Sequence, residues 1–282
     1  FNMFGDFMQY HKVRDFTCSL GCCDYVRGIG GFMIKTSSNP AFTRSAFGGR
    51  GRAMATTGQA MTAEGTFNKL GIMLLACILS AFGVFFAAST PGLAAFMPIA
   101  YLGGIMGLVL ALVIIFKPHM AAALGVPYAL CEGLLVGSMS LTLEAVYPGI
   151  AIQAVVVTMM VAASMLTLYR TAVIKVNQKL RAIVGSALLG IMMLYLFSFI
   201  FSLFGFGFSF MYDSSPLGML LTLAMIVVAG LALVMDVDFV FKGEQMRLPK
   251  EMEWYGAFGI MVTLVWLYIE VLRLLAMLRG RD

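Results

Sequence analysis

Four acidic side chains stand inside long apolar stretches of the chain. They are Glu132 in Y-A-L-C-E-G-L-L-V-G (128–137), Asp236 and Asp238 in L-V-M-D-V-D-F-V-F-K-G (233–243), and Glu270 in T-L-V-W-L-Y-I-E-V-L-R-L-L (263–275). An ionisable group at bilayer depth costs several kcal/mol, so it usually faces a cavity or a partner. Carboxylates buried near one another cannot all ionise cheaply, and they bind a proton or a hard cation such as Ca²⁺. The four acids therefore predict a proton or cation site within a helix bundle.

Each of these acids also has a purely structural interpretation. Glu270 and Arg273 are spaced i, i+3, which suits a local ion pair on one helix. Asp236 and Asp238 could be solvated residues at a membrane boundary. Glu132 has no basic residue within a helical turn, and its structural alternative is a buried hydrogen bond. Spacing alone leaves both interpretations open.

Composition places these acids in a membrane protein. Of 282 residues, 61% are hydrophobic and 12% charged, whereas a soluble domain is about a quarter charged. Lipid must therefore be the solvent for most of the chain. The basic residues lie between apolar runs and form no basic face, which argues against a nucleic-acid partner. The chain also has no phosphate-binding glycine loop, nucleophile triad or metal-ligand spacing, so we expect no enzyme and no bound cofactor.

Seven apolar runs predict an all-α integral membrane protein, because each has about the 20 residues that a helix needs to cross a bilayer. The predicted spans are 70–90, 94–116, 120–143, 148–169, 182–204, 216–242 and 250–279. The fifth run continues into F-G-F-G-F-S-F-M-Y (204–212), which is typical of an aromatic interfacial segment. The membrane domain is thus expected to cover residues 68–279.

Residues 1–67 are predicted to be a flexible tail, because the Ser-, Thr-, Gly- and Arg-rich segment 36–66 has no apolar period. We further expect translation to start at Met33, which would place residues 1–32 upstream of the natural protein.

The positive-inside rule gives the orientation. With a cytoplasmic N-terminus, the three predicted outer connections near Pro91, Tyr147 and Asp213 hold no Lys or Arg. The inner segments then collect the basic residues Arg44, Arg50, Arg52, Lys69, Lys117, Arg170, Lys175, Lys179, Arg181, Lys242, Arg247 and Lys250. Arg279 and Arg281 oppose this trend at the end of the last span, a conflict that a last helix without a full crossing would remove.

Glycine positions predict where helices touch and end. Gly133-x-x-x-Gly137 in the third span suits close helix packing. Gly103, Gly104 and Gly107 suit the same purpose in the second span. Gly243 is the expected C-cap of the sixth helix, which would leave Asp236 and Asp238 inside its last turns.

The chain resembles the Bax inhibitor family (transmembrane Bax-inhibitor-motif proteins), in its bacterial branch, over residues 36–279. The strings that carry the resemblance are S-S-N-P-A-F (37–42), E-G-L-L-V-G (132–137), Y-P-G-I-A-I-Q-A-V (147–155), M-D-V-D-F-V (235–240), E-W-Y-G-A-F-G (253–259) and L-V-W-L-Y-I-E (264–270). The resemblance implies a seven-helix bundle with the last helix central. It also implies a pH-sensitive Ca²⁺ leak controlled by two aspartates on the last two helices.

Residue by residue, the resemblance places the family's two gating acids at Asp236 and at Glu270, a longer acid in place of the second aspartate. Asp238 lies two positions beyond the first. The family's arginine on the second helix is absent here, and Lys117 is the basic residue at the inner end of that span. The implied site is therefore an Asp236–Glu270 gate that can hold a proton or Ca²⁺, with Glu132, Asp238, Lys117 and Arg273 along or beside the path.

The positions of the two acids along their helices limit this expectation. Asp236 lies near the cytoplasmic end of the sixth helix, whereas Glu270 lies about 30 Å along the last helix from Pro249. The pair meets only if the last helix begins well inside the cytoplasm. The leading expectation is a pH-sensitive cation leak channel or carrier in a bacterial inner membrane. The alternative is a membrane scaffold or stress regulator that acts through membrane protein partners without transport.

Overall fold

The computed structural model describes residues 60–90, 97–204 and 215–280. All of them belong to the second of the two units of the chain, Met54–Asp282. The predicted start at Met33, most of the predicted tail and the aromatic segment after residue 204 lie outside the described residues.

The described residues form seven α-helices, as the apolar runs predict. Their bounds are α1 Ala63–Ser89, α2 Met97–Phe116, α3 Ala121–Val146, α4 Ile150–Arg170, α5 Gln178–Leu203, α6 Pro216–Gln245 and α7 Met252–Arg279. A 3-10 turn, Pro118–Met120, connects α2 to α3. Six of the helices are long and apolar enough to cross a membrane, and the apolar part of α2, Tyr101–Phe116, is shorter. The fold class is therefore an integral membrane helix bundle.

Side-chain caps explain several helix starts. Thr62 accepts a hydrogen bond from the Gly65 amide, so α1 begins at Ala63 although the sequence placed the end of the tail at residue 67. Asn177 and Ser215 cap α5 and α6 in the same way. Each cap pairs one of the amides that the first turn of a helix leaves without a partner.

The last helix is central, as expected. α7 contacts α1, α3, α4 and α6, and Tyr195 of α5 hydrogen-bonds to it. Helix α2 packs mainly along α3, on the outside of the bundle. The central position explains why α7 holds buried polar side chains, since only there can several helices supply partners for them.

Small residues let α1 and α3 approach closely. A Cβ atom on Gly133 would lie 2.3 Å from the Cys77 carbonyl oxygen, and one on Gly137 would lie 2.8 Å from Ala81 Cα. Both obstacles are backbone atoms of α1, which cannot rotate away. The predicted packing role of the Gly133-x-x-x-Gly137 pair is therefore confirmed.

The prediction that Gly243 caps α6 is wrong. The helix continues to Gln245 with Met246 as its C-cap, and the left-handed residue beyond it is Arg247, with φ 52°. Gly243 has a packing role instead, because a Cβ there would lie 2.9 Å from Met61 Sδ. Met61 is 1% exposed, and its amide donates to the Leu248 carbonyl at 2.8 Å.

Helix α7 runs the full length of the bundle. At its start, Glu253 pairs with Lys69 and accepts from the Thr62 amide at 2.9 Å, both at the start of α1. At its end, Arg279 donates to the Pro148 carbonyl oxygen and to Gln153 Oε1, each at 2.8 Å. Arg279 thus binds the α3–α4 connection, which gives this residue a structural role at the end opposite the start of α1.

Candidate functional site

Glu270 is fully buried at the centre of the bundle and is surrounded by donors. It is 0% exposed, and its Oε1 accepts from Tyr195 Oη at 2.5 Å and from Trp266 Nε1 at 3.1 Å. Arg273 Nη1 lies 3.3 Å from Oε2 and also donates to Tyr195 Oη at 2.8 Å. The local Glu270–Arg273 pair weighed from the sequence is therefore present, and it extends across to α5.

Asp238 lies in a second charged cluster that joins three helices. Its Oδ2 is 2.6 Å from both Arg181 Nη2 of α5 and Lys242 Nζ of α6. Tyr169 of α4 donates to Oδ1 at 3.2 Å. Asp238 is 5% exposed, so the two cations offset a charge that is largely buried.

Asp236 has a different environment from its neighbour two residues away. Its Oδ2 accepts from Thr263 Oγ1 of α7 at 2.5 Å, and a Cβ on Gly259 would lie 4.0 Å from Oδ1. The hydroxyl partner is neutral. Asp236 lies about 13 Å along α6 from Gln245, the last residue of that helix. It is therefore well inside the bundle. Among the described residues, no cationic side chain lies at hydrogen-bonding distance from it.

The structure does not bring Asp236 and Glu270 together in one hydrogen-bonded pair. The residue of α7 that faces Asp236 is Thr263, and Glu270 lies two turns further on, about 10 Å along the helix. Both α7 residues lie on the same helical face because they are seven positions apart. The residue of α7 at the level of Asp236 therefore carries no charge.

Glu132 lies apart from these groups, on the side of α3 that faces α2. Tyr128 lies one turn earlier on α3, and a Cβ on Gly107 of α2 would lie 3.4 Å from Glu132 Oε1. Glu132 is half-buried between α2 and α3. Lys117 is exposed just before the 3-10 turn, so it does not replace a buried arginine of the second helix.

Helix α5 is held to the bundle by the two charged clusters. Its described contacts to α6 and α7 include Arg181–Asp238 near one end and Tyr195–Glu270 further along. Large apolar side chains between these points are exposed, among them Leu189 at 57% and Met192 at 59%. Changes at either carboxylate would therefore act directly on α5.

The sequence missed most of the partners that complete these sites. They are Thr263, Tyr195, Trp266, Arg181, Tyr169, Lys69 and Glu253. Glu253 lies in the polar string L-P-K-E-M-E (248–253), yet it is 2% exposed. The cation–π contact of Lys69 with the Trp254 ring, 5.5 Å from its centroid, lies beside the same pair.

Among the described residues, no three His, Cys, Asp or Glu side chains form a group that could hold a metal ion. A cation at Asp236 would thus have one carboxylate, the Thr263 hydroxyl and water or backbone oxygens as ligands. Ca²⁺ takes six to eight oxygen ligands and binds tightly only where several are carboxylates. The arrangement suits weak, transient cation binding rather than storage.

These features define a class: a multi-pass membrane bundle with buried, hydrogen-bonded carboxylates on its central helix and on the helix before it. The sequence model of the Bax inhibitor 1 like family matches residues 39–280. The chain belongs to this family of non-enzymatic membrane proteins. A comparison with curated protein sequences finds no match.

Proposed function

We propose that this protein is a pH-sensitive cation leak channel or carrier, with Ca²⁺ as its main cargo. We place it in a bacterial inner membrane with a cytoplasmic N-terminus. Membership of the Bax inhibitor 1 like family supports this function, because pH-sensitive Ca²⁺ leak channels occur in the family. The distribution of basic residues supports the orientation.

The environment of Asp236 is the observation that carries the proposal. Asp238, Glu253 and Glu270 each have a cation within 4 Å, whereas the hydrogen-bonding partner of Asp236 is the Thr263 hydroxyl. A carboxylate without a fixed cation at this depth is stabilised either by a proton or by a mobile cation. Among these four acids of α6 and α7, Asp236 is therefore the one that exchanges a proton for a cation.

This exchange gives the direction of the pH response. At low pH a proton neutralises Asp236, and no charge attracts a cation to the α6–α7 interface. As the pH rises the proton leaves, and the ionised carboxylate can bind Ca²⁺ through its oxygens. Cation flux therefore increases with pH.

In this proposal, Glu270 does not act by repelling Asp236 directly. Two unit charges about 10 Å apart at an effective dielectric constant of about 20 interact by only about 2 kcal/mol, and Arg273 offsets part of that. Glu270 instead holds α5 against α7 through Tyr195. It acts as the gate by setting how firmly α5 closes on the central helix.

Calcium flux into dye-loaded proteoliposomes tests the proposal, measured from about pH 6 to 8 with wild-type protein and Glu270→Gln. The wild-type flux should rise with pH. Glu270→Gln weakens the acceptor for Tyr195, so we expect a higher flux at every pH with the direction of the pH dependence retained. A Glu270→Gln flux equal to wild type at every pH would remove Glu270 from the gate.

The scaffold function is the second candidate, and specific observations favour it. The acids Asp238, Glu253 and Glu270 form compensated pairs that suit a purely structural role. Folded protein without flux above that of empty liposomes, together with stable membrane partners in a pull-down, would establish the scaffold in place of the leak.

A further inference from the structure

An apolar groove opens on the side of the bundle between α1 and α4. Its volume is about 420 Å³, within the range of small-molecule pockets. Its walls include Phe82 of α1 and Val155 of α4, and its floor includes Val265 and Tyr268 of α7. The groove thus reaches the central helix from the outer surface.

The rim of the groove faces the membrane and the floor is buried. Ile78, Phe82, Ile152 and Met159 are 49%, 69%, 72% and 52% exposed, and on helices of this length and hydropathy such side chains are in contact with lipid. Thr158, on the inner side, is 3% exposed. Helix interiors pack with few voids larger than a water molecule. An apolar opening of this size on a lipid-facing surface is therefore a place for a hydrocarbon chain, which restores the missing dispersion contacts.

The charged side chain among the described lining residues, Glu144, lies at one end of the groove. Its carboxylate accepts from the amides of Gly149 and Ala151 at the start of α4. Arg279 lies at the same connection, bound to Pro148 O and Gln153 Oε1. Arg279 does not line the groove itself, and its charge also acts on the Glu144 carboxylate. A guanidinium has five N–H donors, so Arg279 keeps donors beyond its two hydrogen bonds that could reach a phosphate group.

We propose that this groove binds one phospholipid, with an acyl chain between α1 and α4 and the headgroup phosphate at Arg279. The site is independent of the cation function, since none of its polar contacts involves Asp236 or Thr263. It does share α7 with Glu270, so an occupying chain contacts the helix that carries the gate.

Photo-crosslinking in nanodiscs tests this proposal with two probes that carry the same diazirine-labelled acyl chain. One is phosphatidylglycerol and the other is diacylglycerol, which has no phosphate. We expect adducts to concentrate on peptides containing Ile78, Phe82, Ile152 and Met159, and phosphatidylglycerol to label them several-fold more than diacylglycerol. Equal labelling by the two probes would overturn the phosphate contact at Arg279.

Two neighbouring residues supply matched variants. Val155 lines the groove, whereas Val156 is exposed to a similar extent, 46% and 52%, but does not line it. Val155→Trp should fill the groove and lower the adduct yield several-fold, and Val156→Trp should leave it unchanged. Wild-type adducts spread evenly over the exposed faces of α2 and α5 would identify ordinary annular lipid and contradict the site, whether or not the tryptophan variants fold.

Discussion

Replacing Arg273 with methionine is expected to lower the stability of the bundle by about 3 kcal/mol, the lower end of the range for breaking a buried ion pair from one side. The variant leaves Glu270, which is 0% exposed, without its cation. It also removes the donor that Arg273 supplies to Tyr195. In a thermal unfolding experiment in detergent, the midpoint should fall by about 10 °C.

The double variant Arg273→Met/Glu270→Gln separates charge burial from lost packing. A glutamine keeps acceptors for Tyr195 and Trp266 but carries no charge, so the double variant should recover a large part of the lost stability. If the unfolding midpoint of the double variant is equal to or lower than that of the single Arg273→Met variant, the charge of Glu270 is not the cause of the lost stability.

Gly133→Ala should give the second large effect, because the new methyl group would meet backbone. Its Cβ would lie 2.3 Å from the Cys77 carbonyl oxygen, so α1 and α3 must move apart along their shared face. Overpacking of this kind typically costs about 1–3 kcal/mol, which corresponds to a drop of about 5 °C in the unfolding midpoint.

Gly71→Ala is the matched control on α1, since a Cβ at Gly71 has no neighbouring atom within 4 Å. Alanine is also the better helix former by about 0.5–1 kcal/mol, so this variant should melt at or slightly above the wild-type temperature. Equal destabilisation of the two variants would mean that α1 and α3 are not packed as the structure describes.

The helices could be predicted from the sequence because each depends on a local property. An apolar run of about 20 residues must form a helix in lipid to pair its backbone groups, and the observed bounds differ from the predicted spans by a few residues at most ends. The Gly133-x-x-x-Gly137 contact was predictable for the same reason, since small residues one turn apart mark a close helix interface.

The polar partners could not be predicted because they depend on how each helix is rotated against its neighbours. Thr263 and Glu270 share one face of α7, and the family resemblance implied Glu270 as the partner of Asp236. The structure places the uncharged Thr263 at that level instead. A search for paired acids cannot find a threonine, and Tyr195 and Glu270 are 75 positions apart in the chain, which leaves no local signal for their contact.

The central claim is that Asp236 exchanges a proton for a permeating cation. The most direct test is Ca²⁺ flux in proteoliposomes from about pH 6 to 8 for wild type and Asp236→Asn, with Glu64→Gln as the control because Glu64 is exposed in the first turn of α1. We predict that flux rises with pH in wild type and in Glu64→Gln, and that Asp236→Asn gives a low flux without pH dependence. An Asp236→Asn variant with the wild-type pH profile would contradict the claim.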